Sequence, residues 1–421
     1  MKFEVLKKSH LKRNIIIGIV IVAIISAVIL NFTRAKYRVT QSIPLVNGTI
    51  NYSLADLNIV AITVDGESVD TIPDGNYELT ENSYCTVDGE EDSSISISYD
   101  SNTKTLNVIP FTTKGTKCYL NFKKSLCPEG ATACDTILAG KDIEEREDFG
   151  TSFTNETTKI IYQTIDWTNQ PTYYFAGAPT DNWVSFGGFY WRIIRVNGDG
   201  SVRLLYNGTS TTTTGEGTLT KALQKFNKED DRSEYVGLKY TEGEQHGQTT
   251  NSAILTELNS WYTSSNLDDH ADHIDTNIGF CSDRTMASGD NWSSRPASLM
   301  YYAVRRRIQL DKIPSLQCSS NDIIKVPVGL ITADEAMLGG VPYNGNAAGN
   351  FLINGQAYWT MSPYYVNLSG SVHMFYVRSD GMLIYWGVDG MLGVRPVINL
   401  KADTQFSGGN GTASNPYVVA T

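Results

Sequence analysis

The stretch from Trp359 to Pro396, WTMSPYYVNLSGSVHMFYVRSDGMLIYWGVDGMLGVRP, most narrows what this chain can fold into. It carries two turn signals close together, Ser379-Asp380-Gly381 and Asp389-Gly390, each between runs of apolar and aromatic residues. Asp-Gly in that setting predicts a tight antiparallel hairpin, because glycine supplies the positive φ such turns need. The segment is therefore expected to form a small antiparallel sheet. Tyr364, Tyr365, Asn367, His373, Phe375, Arg378, Tyr385 and Trp386 crowd into it. Rigid aromatics beside adaptable polar groups suit a recognition surface, and these eight are the candidate ligand-binding residues. Aromatics also fill cores, and that competing reading applies to each of them. Alternation divides one strand: Val372, Met374 and Tyr376 are expected to face inward, His373, Phe375 and Val377 outward.

At 421 residues the chain is long enough for two or three domains. Its formal net charge of -11 opposes binding to phosphate backbones, so nucleic acid is excluded as a partner. Lys7, Lys8, Lys12 and Arg13 precede an uncharged apolar run. With its flanks that run covers 14–32, enough for a helix to cross a hydrocarbon layer of about 30 Å. The basic side predicts a cytoplasmic stub over 1–13, a single-pass membrane anchor over 14–32, and an extracellular remainder. Arg34, Lys36 and Arg38 on the far side work against that orientation. A cleaved signal peptide is the competing reading, and it is disfavoured by the length of the run.

From 33 to 124 short alternating runs are punctuated by turns. Val60, Ile62 and Val64 lead into Asp65-Gly66, and Ile95, Ile97 and Tyr99 are answered by Leu106 and Val108. This spacing predicts a small all-β sandwich acting as a spacer. Residues 125–173 contain the charge run Asp142 to Asp148 and are expected to be a linker with a disulfide loop. A third region, 174–421, opens with a hairpin signal, Trp183 to Val196 returning at Val202 to Tyr206 through Asn197-Gly198-Asp199-Gly200. Ile254, Leu258 and Trp261 have helical spacing behind Asn251 or Ser252 as N-cap, and a second helix is predicted over Ser298 to Leu310.

The six cysteines, Cys85, Cys118, Cys127, Cys134, Cys281 and Cys318, show no closely spaced pairs of the kind zinc sites use. Disulfides in sequence order are expected, although six cysteines allow fifteen pairings. Asp268-Asp269-His270-Ala271-Asp272-His273-Ile274-Asp275 is the one dense His/carboxylate cluster, read as a solvated loop in preference to a metal site. Thr332 to Glu335 fits a capping box, which accounts for Asp334 and Glu335 without catalysis. No catalytic triad, phosphate loop or paired-carboxylate motif stands out, so neither an enzymatic activity nor a cofactor is expected.

The motifs YFAGAPTDNWVSFGGFYWRIIRV (174–196), LNSWY (258–262), FCSDR (280–284), VGLITADEA (328–336), YWTMSP (358–363) and GVRPVINL (393–400) together resemble a family of bacterial surface proteins. The final third is similar to the α+β C-type-lectin-like fold shared by formylglycine-generating enzymes and by the variable proteins of diversity-generating retroelements. The resemblance implies a C-terminal ligand-binding domain over 174–421, with diversified positions at the eight residues above. Oxidase chemistry is not carried over, because no cysteine follows Cys318, and the calcium-site motifs of true C-type lectins do not occur. The expected function is a membrane-anchored extracellular binding protein or adhesin for a protein or glycan. A cell-envelope enzyme acting on glycan or peptide, and a purely structural surface protein, are the alternatives.

Overall fold

The computed structural model describes residues 58–72, 77–100, 105–109, 115–220 and 223–420. The expected stub 1–13 and anchor 14–32 lie outside them. Among the described residues no helix is long and apolar enough to cross a membrane, so the structure gives the expected single-pass placement no support. The chain divides into two compact units, 1–125 and 126–421.

In the first unit, alternation builds strands as expected, but they do not pair as a sandwich. The strands Asn58–Val64 and Lys117–Lys124 run parallel at the centre of one mixed six-stranded sheet. In the strand Lys117–Lys124 the buried Cys118, Leu120 and Phe122 alternate with half-buried Tyr119 and Asn121, and the lysines at its ends are exposed. A separate hairpin, Ser96–Asp100 with Thr105–Ile109, packs on this core, Tyr99 meeting Phe122 edge-on at 5.0 Å. Cys85 and Cys118 are register partners on neighbouring strands, and their disulfide joins them there.

The second unit is organised around a nine-stranded sheet. Phe189–Val196 and Val202–Tyr206 form the expected hairpin, with Trp191 opposite Tyr206 and Val196 opposite Val202. Val397–Leu400 closes onto the second of these strands from about 200 residues further on. The expected linker 125–173 is corrected: from 126 onward it is part of this body. Asp142–Glu144, Ile160–Ile165 and Pro171–Tyr174 are strands of the same sheet. The charge run failed as a linker signal because Ile143 packs inward while its acidic neighbours stay exposed.

The α+β C-type-lectin-like architecture is likewise corrected. Among the described residues strand far outweighs helix, and the four α-helices have 7, 12, 3 and 6 residues. Only Ala253–Ser264 sustains helical spacing, with Ser252 accepting the Leu255 amide as N-cap. The helix predicted over Ser298 to Leu310 is interrupted: Met300–Tyr301 pairs as a strand, and Ala303–Arg305 passes directly into a π-helical turn, Arg306–Asp311. Cys127–Cys134 and Cys281–Cys318 complete the disulfides, all three pairing in sequence order.

Candidate functional site

Met300–Tyr301, Tyr358–Val366, Val372–Val377 and Leu383–Gly387 form a four-stranded antiparallel ribbon. Its two turns are built by side chains. Asn367 Oδ1 accepts from the amides of Ser369 and Ser371, both at 2.9 Å, and Gly370 takes the positive φ of 88°. At the other end Asp380 pairs with Arg378, whose Nε donates to Oδ1 at 2.8 Å, and Gly381 adopts φ 84°. Arg378 is thus committed to its own turn, a strand's length from His373.

Register places Tyr365 and His373 side by side, and Phe375 beside Tyr385. The His373 and Tyr365 rings stack at 4.5 Å, and Tyr385 stacks on Tyr364 at 4.1 Å. The expectation that Phe375 and Val377 face out is corrected, because both sides of this strand are covered. Phe375 is fully buried against Tyr343 and Tyr364. Tyr364 is also buried, its hydroxyl donating to Gln309 Oε1 at 2.8 Å.

Of the eight expected contact residues, Asn367, His373, Tyr385 and Trp386 converge on one open cleft of about 640 Å³. Tyr365 supports His373 from beside it, whereas Tyr364, Phe375 and Arg378 take other roles. Trp386 is 53% exposed, although its register partner Met374 is buried. The indole lies over Gly390, where a Cβ would come within 2.0 Å of Trp386 Cδ1. Gly390 is held by its amide bonding to the Gly387 carbonyl at 2.9 Å. The second Asp-Gly signal therefore makes the seat of the indole.

The lining residues that sequence reasoning missed include two carboxylates, Asp230 and Asp389. Asp230 comes from a distant loop, tied to the ribbon where the Val372 amide donates to its carbonyl at 2.9 Å. Nothing in the run Lys228-Glu229-Asp230-Asp231-Arg232 marks it as a site residue. Asp389 was legible only as a turn former. Burial lowers the pKa of His373 below the ordinary 6.5, against the opposing pull of its bond to Ser371 and of the Asp230 and Asp389 carboxylates. His373 Nδ1 lies 3.2 Å from the Ser371 carbonyl, which can only accept, so Nδ1 carries the proton of the neutral ring.

The other concentration of charge is structural. Arg195 and Arg203 are cross-strand neighbours, and like charges so placed repel. Glu335 Oε1 lies between them, 3.0 Å from Arg195 Nε and 2.7 Å from Arg203 Nε. Asp166 meets Arg195 at 3.4 Å, and Asp334 takes Arg307 through two bonds of 2.7 and 2.9 Å. The cavity beside this network is only about 10 Å³, roughly one water. Burial would raise the Glu335 pKa, but Arg203 and Arg195 hold it below the usual carboxylate range. Arg395 is also buried, bonding to the Tyr206 and Leu352 carbonyls. His270 and His273 rest against the Phe186 ring, and among the described residues no three His, Cys, Asp or Glu side chains gather as a metal site. Compared with known proteins, the chain matches no family model, no curated protein and no solved structure.

Proposed function

We propose that this chain is a non-covalent ligand-binding protein, of the kind that serves as an adhesin or other recognition module, and that its contact surface is the cleft at the Asn367–Ser371 end of the ribbon. The observation that carries this reading is Trp386: a large aromatic left 53% exposed, yet seated on Gly390 at the edge of a cleft of about 640 Å³. An exposed side chain held in one place loses little further entropy on binding, which is how aromatic anchors dominate recognition surfaces. Ligand pockets commonly span about 300–1,000 Å³, so the cleft is of suitable size. His373 and Asn367 supply orientation, and Tyr385 extends the aromatic surface inward. The kinship to diversified surface proteins is proposed in narrowed form, with variation confined to Asn367, His373, Tyr385 and Trp386. Changing Tyr364 or Phe375 would disturb the core instead.

Peptide and glycan arrays screened with the full chain test the reading. Trp386→Ala and Tyr385→Ala should each weaken an authentic ligand about tenfold or more, while leaving the melting temperature of Trp386→Ala nearly unchanged. A ligand bound equally well by both variants would sink the assignment of the cleft.

A further inference from the structure

We infer that the cleft selects a cationic group, the ammonium of a lysine or the guanidinium of an arginine, presented by a segment of polypeptide. The inference rests on the binding role proposed above and adds the chemistry of the ligand.

The polar inventory of the cleft leads there. Its lining includes two carboxylates, Asp230 and Asp389, and no lysine or arginine. Among the described residues neither carboxylate forms an ion pair or accepts a hydrogen bond. His373 adds no compensating charge: with Nδ1–H donated to Ser371, its neutral ring presents Nε2 as a further acceptor. The Asn367 carboxamide oxygen is already used three times by its turn, leaving only its NH2 for a ligand. Two unpaired negative charges beside an exposed indole form an environment in which a cation gains from both, through Coulomb attraction and through the negative face of the ring.

A metal ion does not meet this need. His373, Asp230 and Asp389 are not gathered closely enough to form a metal-binding group. The charge is distributed, and an organic cation with several donors spans it better than a point ion. The rim argues for a polypeptide carrier over a free amine. Leu368, 77% exposed, follows Asn367, and Met391, 52% exposed, follows Gly390. These flanking apolar side chains can cover the neighbours of a basic residue and have nothing to contact in a small ammonium ion.

The test is calorimetric titration of the full chain with capped pentapeptides that are identical except at the centre, which is lysine, arginine, acetyl-lysine or glutamate. The lysine and arginine peptides should bind at least tenfold more tightly than the acetyl-lysine peptide, the glutamate peptide should not bind, and the preference should shrink as salt is raised. Asp230→Asn with Asp389→Asn should abolish the preference for lysine over acetyl-lysine, whereas Trp386→Ala should weaken every binding peptide. Equal binding of lysine and acetyl-lysine peptides, with loss of both in Trp386→Ala, would overturn the inference and leave the binding cleft standing. A lysine preference that survives the double aspartate variant would place the cation elsewhere and overturn it too. Failure of all four peptides at millimolar concentration would also overturn it, and the binding role would then be judged by the array screen alone.

Discussion

Phe375 and Trp386 look alike in the sequence, two aromatics in one short ribbon, yet one is fully buried and the other half exposed. Phe375→Ala should therefore cost about 3–5 kcal/mol of stability, read from the denaturant midpoint, while Trp386→Ala should cost under about 1 kcal/mol. The difference was not legible because alternation assigns a side chain to a face without saying whether that face is covered. His373 yields a pH prediction. Its folded-state pKa lies below the ordinary 6.5, so as pH falls the unfolded chain takes up this proton first. Stability is unaffected by this group above about pH 6.5 and declines as pH drops from there toward the lowered value. The groups facing it, Asp230, Asp389, Tyr365 and Tyr385, are unchanged in His373→Gln. That variant should flatten the decline in thermal melts taken from pH 7.5 to 5.

The helix Ala333–Leu338 shows how one element can be read locally and still be misjudged. The capping box is present as expected: Thr332 Oγ1 accepts from the Glu335 amide at 3.0 Å and Glu335 accepts from the Thr332 amide at 2.8 Å. A cap of this kind is worth about 1 kcal/mol. Glu335 also sits between Arg195 and Arg203, well over a hundred residues away in sequence, and no local pattern reveals that. Glu335→Gln keeps an acceptor for the cap but leaves two buried arginines facing each other, so it should cost about 3–5 kcal/mol in chemical denaturation. Thr332→Ala should cost only about 1 kcal/mol. A comparable loss in both would reduce Glu335 to a capping residue. The Glu335 pKa is held low, so its stabilisation is present above the ordinary carboxylate pKa of 4.5 and is lost as pH falls below it. The ribbon was legible as strands and turns, whereas the interrupted helix near Ser298 to Leu310 was not. Its apolar spacing resembles a helix, but pairing of Met300–Tyr301 with Tyr365 and Val366 takes the first residues into a sheet.

Across the whole molecule, each unit has its own core, and disulfides lie within both. Cys281→Ser with Cys318→Ser opens a link across 37 positions and should lower the stability of the second unit by about 3–4 kcal/mol, leaving the unfolding of the first unchanged. Nearest-in-sequence pairing was a sound expectation here because each bridge joins segments within one unit. The lectin-like architecture was not, because it depended on landmarks such as Arg395, which here bonds backbone carbonyls within a mostly β body. The sequence by itself determined the features that depend on near neighbours: the hairpin turns at Gly200 and Gly381, the Ser252 cap, the capping box and the alternation of the strands. Only the tertiary structure decided which aromatics became core, brought Asp230 beside Asp389 and His373, and set Glu335 between two arginines. Backbone turns and caps are settled by atoms a few residues apart. Burial and charge pairing are settled by what arrives from elsewhere in the chain, as Asp230 does at the cleft around Trp386.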